Sequence, residues 1–80
     1  MTNEIKYKGF VIEAHPQQLV DTGWWTTYGQ IYRDSGSRTF GTDFYASPTY
    51  KTREEAVTGS LEFGKRIIDG EFPDLIKKLP

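Results

Sequence analysis

TREEAVTGSLEFGKRIIDG, residues 52–70, carries the pattern of one amphipathic helix with both ends marked. Thr52 followed three residues later by Glu55 is a capping box, in which each side chain satisfies a backbone N–H that the first helical turn leaves unpaired. At about 100° per residue, Ala56, Val57, Ser60, Leu61, Phe63, Gly64, Ile67 and Ile68 fall in one arc; Glu54, Glu55, Thr58, Gly59, Glu62, Lys65 and Arg66 fill the other. Gly70 stands where a left-handed residue closes a helix, and Pro73 discourages continuation. Ala56, Ser60 and Gly64 recur every fourth residue along the buried arc, so the helix offers a row of small side chains for large rings to pack against.

The upstream chain reads as the sheet that supplies those rings. Tyr7 to Glu13, YKGFVIE, is β-branched and aromatic and reads as one strand, with Lys8, Phe10 and Ile12 on one face and Tyr7, Val11 and Glu13 on the other. Ala14 to Gly23 is a loop. Trp24 to Arg33, WWTTYGQIYR, is the strongest strand signal and is expected at the centre of the sheet, with Trp25, Thr27, Gly29 and Ile31 opposite Trp24, Thr26, Tyr28, Gln30 and Tyr32. Asp34-Ser35-Gly36-Ser37 is turn chemistry leading into a third strand, Arg38 to Tyr45. Ala46 to Lys51 reads as a connection, because Pro48 excludes a central strand. The tail, residues 71–80, keeps Phe72, Leu75, Ile76 and Leu79 and reads either as a short helical turn or two or as an extended segment along the sheet.

The predicted fold is therefore α+β: a three-stranded antiparallel β-meander packed on one C-terminal α-helix (β-β-β-α), with a short apolar tail. Phe10, Ile12, Trp25, Ile31, Phe40 and Phe44 are expected to face Val57, Leu61, Ile67 and Ile68. The 80 residues suit one small domain, which buries only about 60% of its unfolded surface. Aromatic residues make up 15% of the chain, so a few large rings carry the core.

A single helix shelters one side of such a meander and leaves Tyr7, Val11, Trp24, Tyr28, Tyr32 and Tyr45 on the other. So many rings on one face call for a cover, because soluble monomers rarely expose large apolar patches. Three covers compete: the tail folding back, a protein partner or second copy held by Tyr and Trp, and nucleic acid stacked on the rings. In the last reading Lys6, Lys8, Arg33, Arg38, Lys51 and Arg53 supply phosphate contacts. Ten Lys and Arg against eleven Asp and Glu leave a net charge of −1, which disfavours nucleic acid. The expected binding residues are Tyr7, Trp24, Tyr28, Tyr32, Arg33, Arg38 and Tyr45, with an unknown protein partner or self-association.

Other chemistries find little in the chain. Cysteine is absent, which removes disulfides, thiolate metal sites and thiol nucleophiles together. The lone His15 has no companion at metal-ligand spacing, the glycines match no phosphate loop, and the serines lack a nucleophile elbow. Glu54, Glu55 and Glu62 lie on the wet helix face, with Glu62 and Arg66 spaced to pair at i, i+4. A domain of this size and topology leaves little room for a substrate-sized cavity. The expectation is a non-enzyme without metal or cofactor. With no span-length apolar run and no signal or lipidation motif, it is expected in the cytoplasm and off the membrane.

Tyr7-Lys8-Gly9-Phe10, Trp24-Trp25, the segment Tyr50 to Ala56 (YKTREEA) and Ile67-Ile68-Asp69-Gly70 together resemble a family of small bacterial proteins of unknown function. Its pattern runs YxGxxI, W, an aromatic residue with TxEEA, then IIDG, across most of this chain. The resemblance implies a β-β-β-α domain and no assigned activity. In arrangement, and in the aromatic-x-TxEEA segment, the chain is also similar to AP2-like and integrase N-terminal DNA-binding domains, which read DNA through an open sheet face. Here that face carries mostly tyrosines and few arginines.

Overall fold

A computed structural model describes residues 3–35 and 41–79 of the chain. Helix α1 spans Arg53–Ile68 and begins where the capping box places it. The Glu55 amide donates to Thr52 Oγ1 at 3.1 Å, and that hydroxyl lies 3.1 Å from Glu55 Oε1. The far end is a Schellman motif: the Gly70 amide bonds the Ile67 carbonyl at 3.0 Å and the Glu71 amide the Arg66 carbonyl at 3.1 Å. Gly70 adopts φ 87°, open to glycine without strain. Ala56, Val57, Ser60, Gly64 and Ile67 are buried, all from the predicted arc. On the outer face Glu62 pairs with Lys65 at 3.3 Å and Arg66 with Glu71 at 3.2 Å, in place of the expected Glu62–Arg66 pair.

The sheet corrects the predicted fold. It has four antiparallel strands, not three: β1 (Glu4–Tyr7), β2 (Phe10–Ala14), β3 (Trp25–Arg33) and β4 (Thr42–Tyr50), in the order β1-β2-β3-β4. The segment read as one strand is a hairpin turned at Lys8 and Gly9, with φ 49° and 86°. A two-residue turn with φ positive at both central positions matches the right-handed twist of the strands it joins. Glycine accepts that conformation freely; Lys8 does not, and its ammonium is held 2.6 Å from Asp69 Oδ1 just past α1. The turn pairs Tyr7 with Phe10 across the ladder, so Tyr7 joins the face of Phe10 and Ile12 instead of the opposite one.

The strand β4 also runs further than predicted. Its register jumps from Thr27↔Ala46 to Thr26↔Thr49, leaving Ser47 and Pro48 in a bulge. Proline is tolerated because β4 is an edge strand and the bulge asks for no ladder N–H. Thr27 Oγ1 donates to the Pro48 carbonyl at 2.7 Å and anchors the bulge.

The core lies between sheet and helix, with Ile12, Ile31, Phe44 and Ile67 at its centre and Phe10, Leu61 and Ile68 packed around them. Burying each of the four central side chains stabilises the fold by about 1.5–3 kcal/mol. Trp25, expected in this layer, is only half-buried at the end of the sheet, where it pairs with Tyr50. Phe40 lies outside the described residues. A short helix α2, Pro73–Ile76, follows with proline in its first turn. Phe72, Leu75 and Leu79 pack against the core, on the same side of the sheet as α1. The described tail thus forms one short helix at Pro73–Ile76 and does not shelter the opposite face.

Candidate functional site: the open face of the sheet

Strand alternation sets the face opposite the helix. It takes Glu4 and Lys6 from β1, Val11 and Glu13 from β2, Tyr28, Gln30 and Tyr32 from β3, and Asp43 and Tyr45 from β4. The register aligns Glu4, Glu13, Gln30 and Asp43 in one row across all four strands, and Tyr28 and Tyr45 side by side in the next.

At the β4 side the face is accessible. Tyr45 is 78% exposed, Tyr28 is half-buried beside it, and Asp43 receives Tyr28 Oη at 3.5 Å and Gln30 Nε2 at 3.3 Å. Towards β2 the face closes. Val11 is buried, Tyr32 is only 7% exposed, and its hydroxyl donates to Glu13 Oε2 at 2.8 Å. Glu13 is 6% exposed, and its other oxygen lies 3.0 Å from His15 Nε2. This buried carboxylate is a feature the sequence reading passed over. The available signal was a glutamate inside a β-branched, aromatic strand two residues before the lone histidine, a charge that needs compensation if buried.

The other expected binding residues lie elsewhere. Trp24 precedes β3 and is 39% exposed, with Lys51 Nζ 5.7 Å from its ring centroid. Arg33 ends β3 with its guanidinium 4.9 Å over the Phe10 ring, on the helix side. Arg38 lies outside the described residues. Tyr7 is also on the helix side, its hydroxyl 2.9 Å from both Asp69 carboxylate oxygens. There the Lys8 and Tyr7 hydrogen bonds hold the Asp69 carboxyl below its usual range, while the Asp69 hydrogen bond and charge raise the Lys8 ammonium. These contacts fasten the first hairpin to the end of α1. They account for the co-occurrence of YKG and IIDG in the sequence as a structural clamp.

With the four-stranded sheet and its helix described, comparison with family profiles matches residues 1–78 to a domain of unknown function, DUF6566. The chain belongs to the DUF6566 family. Searches of curated proteins and of solved structures give no match. Among the described residues of this DUF6566 domain, no three or more His, Asp or Glu side chains are grouped to hold a metal ion, and no helix is long and apolar enough to cross a membrane.

Proposed function

We propose that this DUF6566 domain is a non-catalytic protein-interaction module whose contact surface is the β4 side of the open sheet face. One observation carries the reading: Tyr45 stands 78% exposed beside its cross-strand partner Tyr28, on a face that neither α1 nor the tail covers. Tyrosine supplies a large, stiff, amphipathic contact area, and such residues concentrate binding energy at protein interfaces. Gln30 and Asp43 next to the rings add polar groups that orient a partner.

Nucleic acid fits this surface less well. The described open-face residues include Glu4, Glu13 and Asp43 against Lys6, and Arg33 lies on the helix side. A phosphate backbone would meet a net negative row.

The test compares the wild-type chain with Tyr28→Ala/Tyr45→Ala. Light scattering across concentration reads self-association, and affinity capture followed by titration reads a partner. The expected outcome is an association weakened by about tenfold or more in the double variant. If neither self-association nor a captured partner is found, or if the double variant binds as the wild type does, the proposal fails.

A further inference from the structure

The edge of β4 offers a more specific binding device than the face beside it. Among the described residues no strand lies beyond β4, and a strand at a sheet edge presents backbone N–H and C=O groups that pair with another extended chain. Two clefts run along this edge on the helix side. One, of about 260 Å³, lies against Thr42–Tyr45 and is floored by Ile31, Ile67, Leu75 and Leu79. The other, of about 540 Å³, lies against Ala46, Pro48 and Tyr50 and is walled by Phe63 and Phe72 together with the charged Glu62 and Arg66. The Phe44, Phe63 and Phe72 rings, with successive centroids 5.8 and 5.0 Å apart, stand at the divide between them.

We infer that the Thr42–Ala46 half of β4, ahead of the Ser47–Pro48 bulge, receives an extended segment of a different protein as a fifth strand, with apolar side chains opposite Thr42 and Ala46 entering the two clefts and basic side chains lying over Asp43 and Tyr45. The inference rests on the protein-interaction reading and names the class of partner. The unpaired edge calls for a backbone in extended conformation. Side chains alternate along a strand, so every second residue of the guest faces the clefts, and anchors four residues apart are separated by about 13 Å. The intervening side chains emerge on the open face beside the exposed Asp43 carboxylate and the Tyr45 ring, where a guanidinium or ammonium forms an ion pair and a cation–π contact.

A second copy of this chain is a poor guest. Its own β4 has Phe44 buried in its own core and Pro48 without an N–H, so it has no free apolar anchor to insert. Its other edge, β1, is four residues long, with Ile5 and Tyr7 packed against its own core.

Random octapeptides displayed on phage and selected on the immobilised full chain provide the probe. Enriched sequences are expected to carry apolar residues four apart and Lys or Arg at positions between them. The leading peptide, added to the ¹⁵N-labelled chain, should shift the amides of Thr42–Ala46 and slow their exchange. Methylating alternate backbone nitrogens on its pairing edge should weaken binding by about tenfold or more, since those hydrogen bonds are lost. Asp43→Lys, an exposed change, should weaken it by about twofold to fivefold.

Three results would overturn the inference. The first is selection that yields no enriched or non-alternating peptides. The second is binding indifferent to N-methylation, or mapped to Tyr28 and Gln30 with nothing along β4; this sinks strand addition and leaves the open-face reading standing. The third is concentration-dependent dimerisation that buries β4, which replaces the foreign strand with a second copy.

Discussion

Ser60 shows how much a single small residue decides in this chain. The pairing of β3 with the segment after β2 is incomplete. The His15 amide bonds the Tyr28 carbonyl at 2.8 Å and the Thr26 amide bonds the Gln17 carbonyl at 2.9 Å, and Tyr28 N–H is left between them without a strand partner. Ser60 Oγ, fully buried on α1, accepts that N–H at 3.1 Å. In the sequence Ser60 reads only as a small residue in the packing row; its hydroxyl acquires a role from a strand amide 32 positions upstream. Ser60→Ala should lower stability by about 1–3 kcal/mol, the cost of an unpaired buried donor, offset by about half a kcal/mol of helix propensity. Urea denaturation measures the loss, and faster exchange of the Tyr28 amide locates it. Asp69 supports a second residue-scale prediction. Its carboxyl is held below the ordinary 3.8, so its contribution is present above pH 3.8 and lost as pH falls through the lower folded value. Lys8 is raised above 10.5, so its contribution is present below that pH and lost as pH rises through the higher folded value. The stability difference between wild type and Asp69→Asn should accordingly be largest between these limits, shrink at both extremes, and diminish in high salt. A difference that is flat from acid to base would remove the clamp from the account.

Among the elements, α1 is the most legible in the sequence, because its capping box, apolar arc and terminal glycine each report the same helix from local chemistry alone. The first hairpin is the least legible. Lys-Gly is not the usual pair for a turn with two positive φ angles, and Gly9 within an aromatic, β-branched run reads as a passing irregularity. What secures the turn is the bond from Lys8 to Asp69, 61 residues away, and no local pattern encodes that. The missed turn carried a face error with it, placing Tyr7 on the open side, whereas β3 and the first half of β4 keep Tyr28 and Tyr45 together by plain alternation. The contact of α1 with β2 gives an element-scale prediction. A Cβ at position 64 would stand 2.5 Å from Ile12 Cγ2, so the helix approaches the sheet as closely as glycine permits. Gly64→Leu should destabilise the domain by about 1–3 kcal/mol or more, read as a shifted chemical denaturation midpoint. An unchanged midpoint would mean that the helix stands off from Ile12.

For the molecule as a whole, the asymmetry between the two sides of the sheet decides which rings are buried and which meet solvent. The helix side collects α1, α2 and the Phe44–Phe63–Phe72 ring series, while the open side keeps Tyr45 and Tyr28 in reach of solvent. The sequence shows that both sides carry rings but not which the tail would choose. That choice depends on Phe72 finding Phe63 at 5.0 Å and the Arg66 guanidinium at 5.2 Å, contacts made only once α1 has closed with its Schellman turn. Phe72→Ala should therefore cost about 2 kcal/mol, roughly half the loss at a fully buried phenylalanine, and loosen the tail, seen as faster amide exchange in residues 73–79. Both tryptophans sit at the start of β3, whereas the Lys8–Gly9 turn lies beyond its other end, beside Asp34. Indole emission consequently monitors only one margin of the molecule. Recorded together with a hairpin amide signal, it would reveal whether melting proceeds in a single concerted event or begins at one margin before the other.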